Sequence, residues 1–116
     1  MSSRKYAKTA CAAALAALSI GAQAQISGGS VKIGVLTDLS GTYSDLAGSG
    51  AVLATRMAID DFIANEKPNF KIEVVTADHQ NKADIASNKA REWIERENVD
   101  TVTELVTTST ALAVMK

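Results

Sequence analysis

Two short polar segments carry the side chains best suited to hold a small molecule. Residues 40–45 read SGTYSD and supply hydroxyl groups, a glycine and the aromatic ring of Tyr43. Residues 107–110 read TTST and place four hydroxyls where a helix is expected to begin. The first turn of a helix has unpaired N–H groups and partial positive charge, so hydroxyls there favour an anion such as a carboxylate. The alternative that these residues only cap their helices stays open.

A nucleotide site is not indicated by the glycines that follow the first segment. Gly48 and Gly50 have the spacing that opens a dinucleotide-binding G-x-G-x-x-G motif, but Leu53 occupies the position of its third glycine. The loop before them is also too long for the tight turn that this motif requires. We therefore interpret these glycines as part of a flexible loop that enters a helix.

Neither a metal site nor a catalytic site is recognisable. His79 is the only histidine, and Asp78 is the only ligand-type residue beside it, so we predict a polar histidine in a turn. Asp45 and Asp78 could be considered as an acid–base pair, but isolated carboxylates in loops are usually solvated or cap helices. The sequence shows no base-activated serine or cysteine and no nucleophile elbow. No enzymatic activity and no cofactor are expected.

The two hydroxyl segments follow strands in an alternating pattern of strands and helices. The apolar runs predict strands at 31–37, 70–77 and 99–106, and helices at 51–64, 82–97 and from 111. This alternation predicts an α/β fold with a three-layer parallel sheet and right-handed βαβ crossovers. Ligands bind such sheets at the carboxyl ends of the strands. The loops at 38–50, 78–81 and 107–110 should meet at that edge.

Each of the first two helices has an apolar stripe that should face the sheet. In the first helix the stripe consists of Leu53, Met57, Ala58 and Phe62, widened by Val52, Ile59 and Ile63. In the second helix it consists of Ile85, Ala86, Ala90, Trp93 and Ile94. Trp93 fits this stripe and is expected in the core. Glu92 is expected to pair with Arg96, and Asp78 or Asn81 to cap the second helix.

The first 24 residues have the three-part pattern of a secretory signal. Arg4, Lys5 and Lys8 make a basic start, an apolar run covers 10–22, and an Ala-Gln-Ala sequence ends at Ala24. Cleavage there would remove the single cysteine. The remaining chain would have nine basic against 13 acidic residues, a net charge of −4, which argues against a nucleic-acid surface. We predict residues 1–24 as signal peptide, 25–30 as flexible leader and 31–116 as the domain.

The last helix begins within two turns of the chain end, and a three-stranded sheet would leave its edges exposed. The sequence therefore predicts a truncated domain.

The segments VKIGVLTDLSGTYSDLAG, KIEVVTADHQNKADIASNKAREWIERENVDTV and the hydroxyl turn with ALAV together resemble a known family. They are similar to the N-terminal lobe of type I periplasmic solute-binding proteins, above all the branched-chain amino-acid (Leu/Ile/Val) receptors of ABC importers. The resemblance covers residues 31–115 and implies a partial N-terminal lobe of a two-lobed clamshell. Because such a clamshell closes on its solute with both lobes, the resemblance also implies that this chain by itself binds weakly or not at all.

This resemblance implies a function and a set of contacts. The chain would be the periplasmic substrate-binding component of an ABC importer for an amino acid, an aromatic acid or a related small carboxylate, and it would deliver that solute to an inner-membrane permease. The contacts implied for the solute are Ser40, Gly41, Tyr43, Thr107, Thr108 and Ser109. A ligand-sensing domain of a signalling receptor shares the fold and remains an alternative. A flavodoxin or nucleotide-binding enzyme domain is disfavoured because the chain has an export signal and lacks a phosphate-binding motif.

Overall fold

The computed structural model describes residues 26–116. The predicted signal peptide at residues 1–24 lies outside the described residues, as does residue 25. Within the expected leader, Ser27–Gly29 form a single 3-10 turn, and Ser30 already belongs to the first strand. Among the helices of residues 26–116, none combines the length and the hydropathy needed to span a membrane.

Three parallel strands form one sheet in the order β2-β1-β3. The strands are β1 (Ser30–Thr37), β2 (Lys71–Asp78) and β3 (Thr101–Thr103). β1 and β2 pair along their whole length, from Ser30 opposite Lys71 to Thr37 opposite Asp78. β3 pairs with only three residues of β1, Ile33 to Val35. The parallel sheet predicted from the sequence is confirmed, and β1 is its central strand.

Helices connect the strands. They are α1 (Gly48–Glu66), α2 (Ala83–Arg96) and α3 (Thr108–Val114). α1 ends where Lys67 takes a left-handed conformation with φ of 46°, and Pro68 follows, which cannot continue a helix. α2 starts after Lys82, whose backbone is extended, and ends at Arg96. The predicted order β-α-β-α-β-α is confirmed. Each strand and helix is marked in the sequence by its own apolar run and by the polar residues that end it.

The core lies between the sheet and α2. It is formed by the buried side chains of Leu36, Ala86, Ala90, Trp93 and Val99. Trp93 is only 3% exposed, which confirms the predicted core position. A Cβ at Gly34 would lie 2.6 Å from the Trp93 ring, so the glycine lets the indole pack directly on the central strand. Tight packing of this kind fixes the distance between α2 and the strand ends.

The predicted inward stripe of α1 is largely wrong. The exposed members are Leu53, Met57, Ala58, Phe62 and Ile63. Leu53 and Met57 are 59% and 57% exposed, whereas Val52 and Ile59 are half-buried. α1 is apolar around most of its circumference, so its sequence pattern does not specify which side contacts β1 and β2.

In α2 the predicted stripe is correct except for Ile94, which is 57% exposed. The buried residues Ala86, Ala90 and Trp93 make a narrower stripe that already covers the sheet. The predicted pair of Glu92 with Arg96 is replaced by an i,i+3 pair of Glu92 with Lys89, at 2.6 Å.

β3 is shorter than the predicted strand at 99–106. Val99 is buried in the core but precedes the strand, and Glu104 takes a left-handed conformation with φ of 69°, which ends the extended chain. Residues 104–107 then lead directly into α3.

Candidate functional site

The carboxyl ends of the three strands bring three segments to one edge of the sheet. Loop 1 (residues 38–47) follows β1, and the hydroxyl turn (residues 107–110) follows β3 and starts α3. Loop 2 (residues 78–82) begins with the last residue of β2 and leads to α2. Because the strands are parallel, their carboxyl ends lie together, and the three segments that follow them are at the same edge of the sheet. The sequence predicted this common edge, and the candidate contact residues all lie in loop 1 or the hydroxyl turn.

Loop 1 is folded around the buried carboxylate of Asp38. Its Oδ1 accepts a hydrogen bond from the Gly41 N–H at 2.6 Å, and its Oδ2 accepts one from the Tyr43 N–H at 2.9 Å. A Cβ at Gly41 would lie 2.6 Å from both carboxylate oxygens. The glycine is therefore required by the loop itself, whether or not a ligand approaches it. Tyr43 remains 37% exposed at the outside of the loop.

Asp78 fastens loop 1 to the end of β2. Its Oδ2 accepts a hydrogen bond from the Ser40 hydroxyl at 2.5 Å, and its Oδ1 accepts bonds from the N–H groups of Leu39 at 2.9 Å and Gln80 at 2.8 Å. Partial burial acts to raise the pKa of Asp78, but these three hydrogen bonds, with a smaller electrostatic effect of His79, outweigh it. They hold the pKa below its ordinary value of 3.8. The carboxylate is thus stabilised in its charged form.

Loop 2 is anchored to the sheet by His79, which is fully buried. Its backbone N–H donates to the carbonyl of Thr37 at 2.9 Å, and its Nδ1 accepts from the N–H of Asn81 at 2.9 Å. The Nε2 atom has no hydrogen-bond partner within residues 26–116. His79 is in a turn, as predicted, but it is a buried packing residue and not a solvated one.

Asn81 connects loop 2 to the hydroxyl turn. Its Oδ1 accepts a hydrogen bond from the Thr107 hydroxyl at 3.0 Å, 26 residues further along the chain. Since β1 lies between β2 and β3, this bond reaches across the end of the central strand. The prediction that Asp78 or Asn81 caps α2 is wrong. Lys82 occupies the N-cap position, and no side chain makes a capping hydrogen bond there.

The hydroxyl turn is not explained by helix capping. Thr107 occupies the N-cap position of α3, but its hydroxyl makes no capping hydrogen bond. It contacts the Thr110 hydroxyl at 2.9 Å and the Ser109 hydroxyl at 3.3 Å, and Thr110 is buried. Thr108 and Ser109 are exposed. The turn is an internally bonded unit with two solvent-facing hydroxyls.

The six predicted contact residues therefore fall into two groups held by one loop. Ser40, Gly41 and Tyr43 belong to loop 1, and Thr107, Thr108 and Ser109 belong to the hydroxyl turn. Loop 2 bonds to both groups, through Asp78 at its start and Asn81. No hydrogen bond joins the two groups to each other among residues 26–116, so loop 2 sets their relative position.

Three residues that organise this edge were not predicted: Asp38, Asp78 and Asn81. A signal for the first two was present, because an acidic residue directly follows or ends each of the two long strands. A carboxylate there can accept the N–H groups of a turning chain. No local signal identified Asn81 as the partner of Thr107.

An open groove of about 590 Å³ lies at the opposite edge of the sheet. Three charged side chains that line it, those of Lys32, Glu73 and Asp100, already have partners within the fold. Lys32 Nζ donates to the Glu97 carbonyl at 2.9 Å and lies 3.8 Å from Glu73, and Asp100 accepts from the Lys32 N–H at 2.8 Å. These satisfied groups favour a structural role, and the carboxyl edge remains the better candidate in spite of the size of this groove. Residues 26–116 contain no cluster of three or more metal-ligating side chains.

Comparison with known proteins agrees with this fold. The periplasmic binding protein family model matches residues 30–116. A periplasmic binding protein from Burkholderia mallei matches at 51% identity and a TM-score of 0.67, over 73% of this chain and 22% of the other. A branched-chain amino acid ABC transporter periplasmic ligand-binding protein from Burkholderia xenovorans matches at 43% identity and a TM-score of 0.64. The match covers 72% of this chain and 22% of that protein.

A possible leucine/isoleucine/valine-binding protein from Rhodopirellula baltica matches at 22% identity with a TM-score of 0.67, over 79% of this chain and 25% of that one, and supports the fold alone. No curated protein matches the chain.

The chain belongs to the periplasmic binding protein family. Its fold is that of the N-terminal lobe of type I members, with a parallel β2-β1-β3 sheet and connecting helices. It spans about a fifth to a quarter of the length of the solved structures that it matches.

Proposed function

We propose that this chain forms one wall of a solute-binding cleft in an ABC importer, and that the solute is an amino acid or a related small carboxylate. One observation carries the proposal: loop 2 hydrogen-bonds to both loop 1 and the hydroxyl turn, through Asp78 and Asn81. Two polar segments distant in sequence are thereby fixed at the edge where parallel sheets bind ligands.

The hydroxyl turn has the chemistry that a carboxylate needs. Thr108 and Ser109 expose hydroxyl groups that can donate hydrogen bonds. The first N–H groups of α3 belong to residues 108–110 of the same turn, and the start of a helix leaves such groups without intrahelical partners. Loop 1 adds the half-exposed ring of Tyr43, a surface on which an apolar or aromatic part of the solute can pack.

One relative supports the same class of solute. The name of the solved relative from Burkholderia xenovorans refers to branched-chain amino acids. None of the three relatives is named as an enzyme. We propose that residues 1–24 export the chain and are cleaved, which predicts a mature protein that starts at Gln25 in intact-mass spectrometry.

A hybrid protein tests the binding function. In the hybrid, residues 30–116 of this chain replace the matching segment of the Burkholderia mallei protein, which supplies the rest of the cleft. Ligand at a hundredfold excess over Kd stabilises a protein by about 2.7 kcal/mol, a shift of several degrees in Tm. Tm is measured with a panel of amino acids, aromatic acids and their uncharged amides.

We expect a Tm increase with at least one carboxylate solute and a smaller one with its amide. Thr107→Ala combined with Thr108→Ala should remove most of the increase, whereas Thr101→Ala, an exposed threonine on β3 outside the turn, should retain it. A hybrid that folds but shifts with no member of the panel would contradict the proposal.

A further inference from the structure

Asn81 is fixed from two sides. Its backbone N–H donates to the buried Nδ1 of His79 at 2.9 Å, and its Oδ1 accepts from the Thr107 hydroxyl at 3.0 Å. Its backbone is left-handed, with φ of 54°, a conformation that asparagine adopts more readily than most residues. The preceding residue Gln80 is left-handed as well. The amide of Asn81 is thus held against the hydroxyl turn.

The contact with Asn81 uses the only hydroxyl proton of Thr107. A threonine hydroxyl has one proton, and that of Thr107 is donated to Asn81. The Thr110 proton is directed to the Thr107 carbonyl at 2.9 Å, and the 2.9 Å contact between the Thr107 and Thr110 hydroxyls has only these same two protons to share. A carboxylate can only accept hydrogen bonds, so in this arrangement Thr107 has no proton to offer it.

We propose that Asn81 is a positioning residue whose amide turns from acceptor to donor toward Thr107 when a carboxylate binds, a role that rests on the proposed function. With its NH₂ group donating to Thr107 Oγ1, the single hydroxyl proton of Thr107 becomes free for the carboxylate. Side-chain amides carry both a carbonyl and an NH₂ group, and aspartate, with nearly the same shape, carries only acceptors when ionised. Asn81 therefore holds the turn in place without the solute and allows Thr107 to donate with it.

Asn81→Asp is the variant that separates the two parts of this role, because it keeps the acceptor and removes the donor. Gln80→Glu is its matched control. It adds the same charge one residue earlier, at an exposed side chain that contacts Lys82 and not the hydroxyl turn. Asn81→Ala removes acceptor and donor together. The measurement is NMR of the isotopically labelled hybrid, which supplies the rest of the cleft, with L-leucine and L-leucinamide as probes.

We expect Asn81→Asp to bind L-leucine about tenfold to a hundredfold more weakly than Gln80→Glu, the range for losing a hydrogen bond to a charged group. For L-leucinamide the two variants should differ by less than about threefold, because a neutral amide can donate as well as accept. Equal L-leucine affinities of Asn81→Asp and Gln80→Glu would overturn the turning of the amide while leaving the proposed function intact.

The ligand-free spectra test positioning separately. The resonances of residues 107–110 should be alike in Asn81→Asp and Gln80→Glu and displaced in Asn81→Ala. Unchanged resonances in Asn81→Ala would overturn the positioning role. If the hybrid without these substitutions shows no shift with L-leucine, this contradicts the proposed function for this probe and with it the turning of the amide. The ligand-free comparison alone then judges the positioning role.

Discussion

Replacing Asp78 by alanine should loosen loop 1 and lower the free energy of unfolding. Asp78 accepts three hydrogen bonds, two from loop 1 and one from Gln80. A hydrogen bond to a buried charged acceptor contributes about 1.5–3 kcal/mol, and solvent screening at this partly buried carboxylate reduces each to about 0.5–1 kcal/mol. The total is about 2 kcal/mol, or about 10 °C in Tm for a domain of this size.

The effect should depend on pH in a defined direction. The pKa of Asp78 is below 3.8 in the folded chain, so the unfolded chain takes up this proton at a higher pH than the folded chain does. The stabilisation is therefore fully present above the unfolded pKa and is lost as pH falls through the folded pKa. Urea unfolding at pH 7, 5 and 3 should show the same difference between wild type and Asp78→Ala at pH 7 and 5, and a smaller one at pH 3.

Asp45→Ala is the control for this series, because Asp45 is an exposed carboxylate of the same loop and accepts no hydrogen bond within residues 26–116. It should change the free energy of unfolding by no more than about 0.5 kcal/mol. An Asp78→Ala variant as stable as this control at pH 7 would refute the reasoning. A difference that is as large at pH 3 as at pH 7 would refute the assignment of the effect to the ionised carboxylate.

Two glycine substitutions make further predictions. Gly34→Ala should lower the free energy of unfolding by about 1–3 kcal/mol in urea titrations, because its Cβ would lie 2.6 Å from the Trp93 ring, and Trp93→Leu in the same chain should reduce that penalty. If the penalty is unchanged in the Trp93→Leu background, the clash is not its cause. Gly41→Ala should displace the amide resonances of loop 1 and weaken solute binding by the hybrid, because its Cβ would meet the Asp38 carboxylate at 2.6 Å. Unchanged loop 1 resonances would contradict this account.

The order of strands and helices was predictable because its signals are local. The apolar run before Asp38 and the alternation that ends at Asp78 gave β1 and β2 to within a residue, and the parallel sheet followed from the helices between them. The length of β3 was not predictable, since a strand extends only where a neighbouring strand pairs with it. β1 offers that pairing over three residues.

The helix faces show the same limit. The pattern of α2 identified its core residues because charged residues occupy its other side. α1 has few charged residues to mark its outer face. Leu53 and Met57 were therefore predicted to face the sheet, whereas the structure shows them exposed. Tertiary contact decided between sides that the sequence leaves nearly equivalent.

Within the candidate site, the sequence identified the two hydroxyl-bearing segments but not what holds them. The common edge follows from parallel topology, which sequence alternation implies. The Asn81–Thr107 contact joins residues 26 positions apart and depends on the left-handed backbone of two successive non-glycine residues. No local pattern announces such a conformation, so this link became visible only in three dimensions.

The central claim is that the hydroxyl turn, held by loop 2, receives the carboxylate of a small solute. A crystal structure of the hybrid with the carboxylate solute that raises its Tm most would test this claim directly. The carboxylate oxygens are expected at about 2.7–3.2 Å from hydroxyl or N–H donors of residues 107–109. A bound solute whose carboxylate lies away from this turn, for example in the groove beside Lys32 at the opposite edge of the sheet, would contradict it.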